Sequence, residues 1–93
     1  MRIVFVETAA DDLMWFRQYY RAVFPQGAEN AKMRITNLLT LLEANPHMGQ
    51  AVPERPNVRK LPISKTPFAL VYRTNAHQIE VLRVLDTRRR PGI

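Results

Sequence analysis

The apolar residues of this chain change their spacing once, across the proline-rich segment at residues 46–57. Before that segment they recur every three or four positions, which predicts helices. After it they alternate or form short runs, which predicts strands. Consecutive strands joined by short connections must be antiparallel. The order strand, helix, helix and three strands therefore predicts an α+β fold, with a helical hairpin packed on one face of a small, mostly antiparallel sheet.

The first half of the chain predicts one short strand, at residues 2–6, and two helices. Thr8 is expected to cap the first helix, with Asp11 and Asp12 at the positive end of its dipole. Pro25-Gln26-Gly27 is expected to end this helix, and Asn45-Pro46 to end the second. The apolar stripes comprise Ala9, Leu13, Phe16, Tyr20, Val23 and Phe24 in the first helix, and Ala28, Ala31, Ile35, Leu38, Leu39 and Leu42 in the second.

The second half predicts a loop at residues 46–57 and strands at 58–63, 68–73 and 79–85. Alternation along the last strand would place Ile79, Val81, Arg83 and Leu85 on one face. Both faces of the sheet are then largely apolar with arginines among them, whereas a sheet covered by helices on one side usually exposes a polar face. Either another strand or chain covers the second face, or that face is a partly apolar binding surface. A partner is the simpler explanation.

Length and composition exclude several classes of protein. The 93 residues are enough for a single domain, residues 1–93. The chain has no cysteine, and its histidines, His47 and His77, lie thirty residues apart in predicted loops. We therefore expect no metal and no other cofactor. No apolar run is long enough for a signal peptide or a membrane span, so a cytoplasmic protein without membrane contact is expected.

The positive charge is concentrated in the second half of the chain. The sequence has 14 basic and 8 acidic residues, a net charge of +6. Residues 1–46 hold five of each sign, whereas residues 47–93 hold nine basic and three acidic residues. This asymmetry fits a contact surface for a polyanion or an acidic partner, and it fits simple solubility equally well.

Five segments, in chain order, carry a family resemblance. They are Ala10-x-x-Leu13, the Leu-x-x-Asn-Pro-x-x-Gly motif from Leu42 to Gly49, Val58-Arg59-Lys60-Leu61, Pro67-Phe68-Ala69-Leu70-Val71-Tyr72-Arg73, and Val81-Leu82-Arg83-Val84-Leu85-Asp86-Thr87-Arg88-Arg89. Together they resemble the RelE/ParE toxin superfamily over nearly the whole chain. The resemblance implies a helical hairpin on a small antiparallel sheet. It also implies a bacterial toxin of a type II toxin–antitoxin pair, of the plasmid stabilisation type, neutralised by a cognate antitoxin.

The superfamily has a branch that cuts messenger RNA on the ribosome, and this sequence fits that branch poorly. Aligned on the strand that contains Tyr72, the cations expected for RNA cleavage include Lys60 and Arg88, which are present. Two others fall on Pro62 and Ala69. The histidine of some relatives falls on Asp86, and the catalytic tyrosine would lie beyond the last residue. We therefore assign no catalytic residue. The resemblance favours the ParE-like branch, which inhibits DNA gyrase by binding.

Two alternatives stay open. One is a RelE-like, ribosome-dependent mRNA endonuclease that uses another residue set, such as Lys60, Arg73, Arg83 and Arg88. The other is an inactive toxin that only binds its antitoxin.

The resemblance and the charge distribution together give two sets of contact residues. The target is expected to contact the basic residues of the sheet and tail, namely Arg59, Lys60, Arg73, Arg83, Arg88, Arg89 and Arg90. The antitoxin is expected in a groove beside the helix hairpin that involves Trp15, Phe16, Tyr19 and Tyr20, with acidic antitoxin residues facing the basic half.

Overall fold

A computed structural model describes residues 1–88 of the chain. Its elements are β1 (Arg2–Phe5), α1 (Glu7–Val23), α2 (Ala28–Ala44), β2 (Gln50–Ala51), β3 (Val58–Pro62), β4 (Phe68–Thr74) and β5 (Gln78–Asp86). The five strands form one sheet in the order β1-β5-β4-β3-β2. Only the β1–β5 pair is parallel within this part of the chain. The predicted α+β fold with a helical hairpin and a mostly antiparallel sheet is confirmed.

The sheet brings the two halves of the chain together. β1 lies beside β5, the last strand, so the start of α1 follows directly from a strand that pairs with the C-terminal segment. Strand β2 lies inside the segment predicted to be a loop and pairs with β3 through Gln50 and Ala51. Its two residues are too few to show an alternating pattern, so sequence spacing could not reveal it.

Helix α1 begins two residues earlier than predicted, and Thr8 does not cap it. The N-terminal cap is Val6, which makes no side-chain capping bond. The Val6 N–H donates to the Val81 carbonyl at 3.1 Å, and the Val6 carbonyl accepts the first helical bond from Ala10 at 2.9 Å. The pairing of β1 with β5 thus sets where the helix begins, and this tertiary constraint overrides the local capping preference.

The predicted helix ends are confirmed, and the stripes are confirmed except at the hairpin turn. Helix α1 ends at Val23, a short 3-10 turn follows at Pro25–Gly27, and α2 ends at Ala44. Val23 and Phe24 are exposed, not part of the core. They lie where the chain turns into α2, so the helical period no longer governs which side chains face the sheet. The remaining stripe residues are buried or partly buried in one cluster.

A β-bulge changes the faces of β5. Tyr72 pairs with Val81, whereas its neighbour Val71 pairs with Arg83, so β5 contains one extra residue at this point. The bulge places Val84 in the core. The prediction that Arg83 and Leu85 share a face with the core residues of this strand is therefore wrong, because strict alternation assumes an uninterrupted ladder.

Candidate partner-binding site

The predicted target-binding arginines and lysine do not form one cluster. Arg59 and Lys60 lie on β3, Arg73 on β4 and Arg83 on β5, while Arg88 follows β5. The register aligns Lys60, Val71 and Arg83 in one row across three strands. The Cα atoms of Lys60 and Arg83 are therefore about 10 Å apart, which is two strand spacings. Arg89 and Arg90 lie outside the described residues.

The Arg59 side chain holds the segment that follows α2. Its Nη1 donates to the Gly49 carbonyl at 2.8 Å, and the Gly49 N–H donates to the Tyr72 hydroxyl at 2.9 Å. The Tyr72 hydroxyl in turn donates to the Pro46 carbonyl at 2.9 Å. Burial raises the pKa of Tyr72, so the hydroxyl remains a donor at physiological pH. We call Arg59, Gly49, Tyr72 and Pro46 the loop clamp.

Within residues 1–88, the other three arginines of the predicted set form ion pairs in which the cation is the more exposed partner. The Arg73–Glu80 and Arg83–Asp12 pairs are both 2.7 Å long, with side chains exposed by 49% and 21%, and by 45% and 18%, respectively. The Arg88–Asp86 pair is 2.9 Å long, with 52% and 6% exposed. The hydrogen bonds that the guanidinium groups donate to Asp12 and Asp86 raise the pKa of Arg83 and of Arg88, respectively. These pairs therefore present guanidinium groups to solvent although each charge is balanced.

Asp12 does more than the helix-dipole role predicted for it. Its Oδ2 accepts from Arg83 Nε at 2.7 Å and from the Val84 N–H at 3.0 Å. The pairing of β1 with β5 extends only to Val81, so the carboxylate satisfies a backbone donor on the part of β5 that β1 does not cover. The helix-dipole role predicted for Asp12 did not include this tertiary contact. Its partner lies 71 residues away in the chain, and no local pattern indicates it.

The four predicted antitoxin-binding aromatics divide into two groups. Phe16 and Tyr20 are buried, and Phe16 packs edge-on against Phe68 with ring centroids 4.8 Å apart. Trp15 is 38% exposed and stacks on Tyr19 at 5.5 Å. Tyr19 is half-buried. Of these four aromatics, only Trp15 and Tyr19 therefore offer substantial surface to a partner.

The two predicted contact sets meet at Tyr19 and Arg88. The Arg88 guanidinium carbon lies 5.2 Å from the centre of the Tyr19 ring, a cation–π distance. Asp86 fixes the guanidinium from the other side by accepting from Nε at 3.0 Å and from Nη2 at 2.9 Å. We call Trp15, Tyr19, Arg83 and Arg88 the arginine–aromatic strip.

A groove of about 380 Å³ separates the two helices. Apolar side chains that include Leu13 and Ile35 line it together with the cations of Arg17, Arg21 and Lys32. An amphipathic segment with acidic residues could lie here. Of the four aromatics predicted to contact the antitoxin, Phe16 and Tyr20 line this groove, and Trp15 and Tyr19 do not.

Metal and membrane sites receive no support from residues 1–88. No three histidine, aspartate or glutamate side chains in this range come together as metal ligands. No helix in the same range is long and apolar enough to cross a membrane.

Comparisons with known proteins identify the family. Residues 3–91 match the family described as the ParE toxin of the type II toxin–antitoxin system parDE, and the chain belongs to this family. It is similar to a structure of the chromosomal ParDE TA system from P. aeruginosa, with 28% identity and a TM-score of 0.70 over 90% of this chain and 92% of that one. A YoeB/ParE toxin from Agrobacterium tumefaciens shares the fold, with 16% identity and a TM-score of 0.59 over 90% and 95% of the two chains. No curated protein sequence gives a significant match.

These findings confirm the resemblance. The protein is a ParE-like toxin of a type II toxin–antitoxin system, and its family implies a cognate antitoxin as partner.

Proposed function

We propose that this toxin acts by binding and inhibiting DNA gyrase, without cleaving RNA, and that its antitoxin reverses the inhibition. Membership of the ParE family supports the proposal. The proposed target acts on bacterial DNA, so the proposed location is the cytoplasm.

One row of residues across the sheet supports a toxin that binds its target over one that cleaves RNA. Pro62 pairs with Ala69, and Ala69 pairs with Leu85, so three apolar residues lie side by side across β3, β4 and β5. Pro62 and Ala69 are the positions at which the RNA-cleaving branch is expected to carry cations. Cleavage at a 2′-hydroxyl requires a proton acceptor and cations that stabilise the charge on phosphorus. Proline, alanine and leucine provide neither.

The next row on the same face of the sheet offers charge for binding. Lys60 and Arg83 flank Val71, and Arg88 follows the end of β5. Gyrase with its DNA presents acidic and phosphate surface to such cations. We propose Arg83 and Arg88 as the principal target contacts, because both guanidinium groups lie against α1, each about half exposed and held by a carboxylate.

The test is a supercoiling assay with purified gyrase, relaxed plasmid and ATP. Addition of the toxin should reduce supercoiling and should trap cleavage complexes, and addition of the antitoxin should restore activity. A folded toxin that leaves gyrase unaffected would contradict the proposal.

A parallel assay with ribosomes and messenger RNA tests the RNA-cleaving alternative. Transcript cleavage there, with no effect on gyrase, would assign the toxin to the other branch. No effect in either assay would indicate a protein that only binds its antitoxin.

A further inference from the structure

The arginine–aromatic strip follows one side of α1. Asp12, Trp15 and Tyr19 are spaced by three and four residues, so they lie on the same side of the helix. Arg83 is held at one end of the strip by Asp12, and Arg88 lies over Tyr19 at the other end. Trp15 and Tyr19 stack between them. The strip is therefore cationic at both ends and aromatic in the middle.

The supporting carboxylates are less exposed than the arginines they hold. Asp86 is 6% exposed and its partner Arg88 is 52% exposed, and the Asp12–Arg83 pair shows the same asymmetry. Each guanidinium retains N–H groups that its carboxylate does not occupy, because arginine has five donors. An incoming acidic group thus meets donors already fixed in position, which lowers the conformational entropy lost on binding.

The spacing of the strip restricts what can bind. Asp12 and Tyr19 are seven residues apart, which places the two arginine contacts about 10 Å apart along α1. Carboxylates seven residues, or two turns, apart on a helix lie on one face of it and match this distance. Duplex DNA carries a phosphate about every 3.4 Å of axis along each strand, and its bases are stacked inside the double helix, so they do not pack on the aromatic middle of the strip.

We propose that the strip docks a segment of the antitoxin that carries two carboxylates about 10 Å apart with an apolar side chain between them. The carboxylates bind Arg83 and Arg88, and the apolar side chain packs on Trp15 and Tyr19. Since Arg83 and Arg88 are also the proposed target contacts, the antitoxin neutralises the toxin by occupying the surface that the target needs. This last step depends on the proposed function, whereas antitoxin docking does not.

The first experiment replaces each ion pair with a neutral amide pair, so that no buried carboxylate is left unpaired. The two strip variants are Asp86→Asn/Arg88→Gln and Asp12→Asn/Arg83→Gln. The matched control is Arg73→Gln/Glu80→Gln, because the Arg73–Glu80 pair has similar length and exposure but joins β4 to β5 instead of binding α1. Calorimetric titration with the antitoxin encoded beside the toxin gives the affinity of each variant.

We expect each strip variant to bind the antitoxin about tenfold or more weakly, and the control to change by less than about twofold. Both strip variants should also show a smaller decrease of affinity with added salt than the unchanged toxin. Equal losses in all three variants, or normal binding by both folded strip variants, would overturn the proposal.

The second experiment tests the aromatic middle. Trp15→Ala should weaken antitoxin binding about tenfold, whereas Met14→Ala, an exposed apolar neighbour on another side of the helix, should have little effect. Thermal unfolding of each variant distinguishes lost contacts from lost folding. Identical affinities of folded Trp15→Ala and Met14→Ala proteins would contradict docking on the strip.

A competition assay separates this inference from the proposed function. Immobilised gyrase should not retain the toxin–antitoxin complex if both partners need Arg83 and Arg88. Simultaneous binding would refute the shared surface. If the toxin does not inhibit gyrase but the strip variants lose antitoxin affinity, the target proposal fails and the docking surface stands.

Discussion

The loop clamp and the arginine–aromatic strip use arginine in opposite ways. In the clamp, Arg59 is part-buried and donates to the Gly49 carbonyl, so the arginine holds the backbone in place. In the strip, Asp86 and Tyr19 hold Arg88, and the guanidinium remains half exposed. Both arginines belong to the basic half of the chain, and sequence gives them the same predicted role. The comparison shows that the hydrogen-bond partners of an arginine, and not its charge alone, decide whether its guanidinium group is available to another protein.

The largest effect on stability is expected in the loop clamp. Gly49→Ala would place a Cβ atom 2.8 Å from the Tyr72 hydroxyl oxygen and 3.0 Å from the Lys60 carbonyl oxygen. Neither atom can move freely, because Tyr72 is fully buried and the carbonyl belongs to β3. We expect the free energy of unfolding to fall by about 1–3 kcal/mol, as measured by urea denaturation.

Gly27→Ala is the matched control. The three heavy atoms nearest the new Cβ atom all belong to the ring of Phe24, which is exposed and can rotate away. Its effect should stay within about 0.5 kcal/mol. A larger loss for Gly27→Ala than for Gly49→Ala would contradict the structural role given to the clamp.

A smaller loss is expected at the support of the strip. Asp12→Ala removes the acceptor of the partly buried Val84 N–H and releases Arg83. The unsatisfied donor should lower the free energy of unfolding by about 1–2 kcal/mol. Hydrogen exchange at the Val84 amide should accelerate in the same variant.

Asp11→Ala controls for helix-dipole effects, because Asp11 is also near the start of α1 and is exposed. Its effect should be within about 0.5 kcal/mol. Equal losses of unfolding free energy in Asp11→Ala and Asp12→Ala would indicate that Asp12 acts through the helix dipole, as the sequence predicts.

The smallest effect concerns the Arg73–Glu80 pair, which lies outside both regions. The hydrogen bond from Arg73 lowers the pKa of Glu80 below its ordinary value of 4.5. A depressed pKa contributes stability above the ordinary value, and this contribution disappears as the pH falls through the pKa of the folded state. NMR titration should place the Glu80 pKa nearer its ordinary value in Arg73→Gln. An unchanged Glu80 pKa in that variant would show that the pair is not the cause.

Much of the fold could be predicted from local patterns. The apolar stripes predicted the two helices, and the prolines at positions 25 and 46 predicted where they end. Both signals are local, because a helical period and a missing backbone N–H act over a few residues. The candidate site was predictable only in part. Trp15 and Tyr19 were identifiable as aromatics beside the stripe. The burial of Phe16 and Tyr20 against Phe68 depends on a strand about fifty residues later.

The sequence by itself determined the types of the elements, their order and the family, since each depends on short segments read in succession. Only the tertiary structure decided which arginine holds the backbone and which is held half exposed by a carboxylate. The bulge in β5 set the position of Arg83, and Asp12 reached it across 71 residues of chain. Such pairings depend on register and packing between distant strands and helices, and no local spacing encodes them.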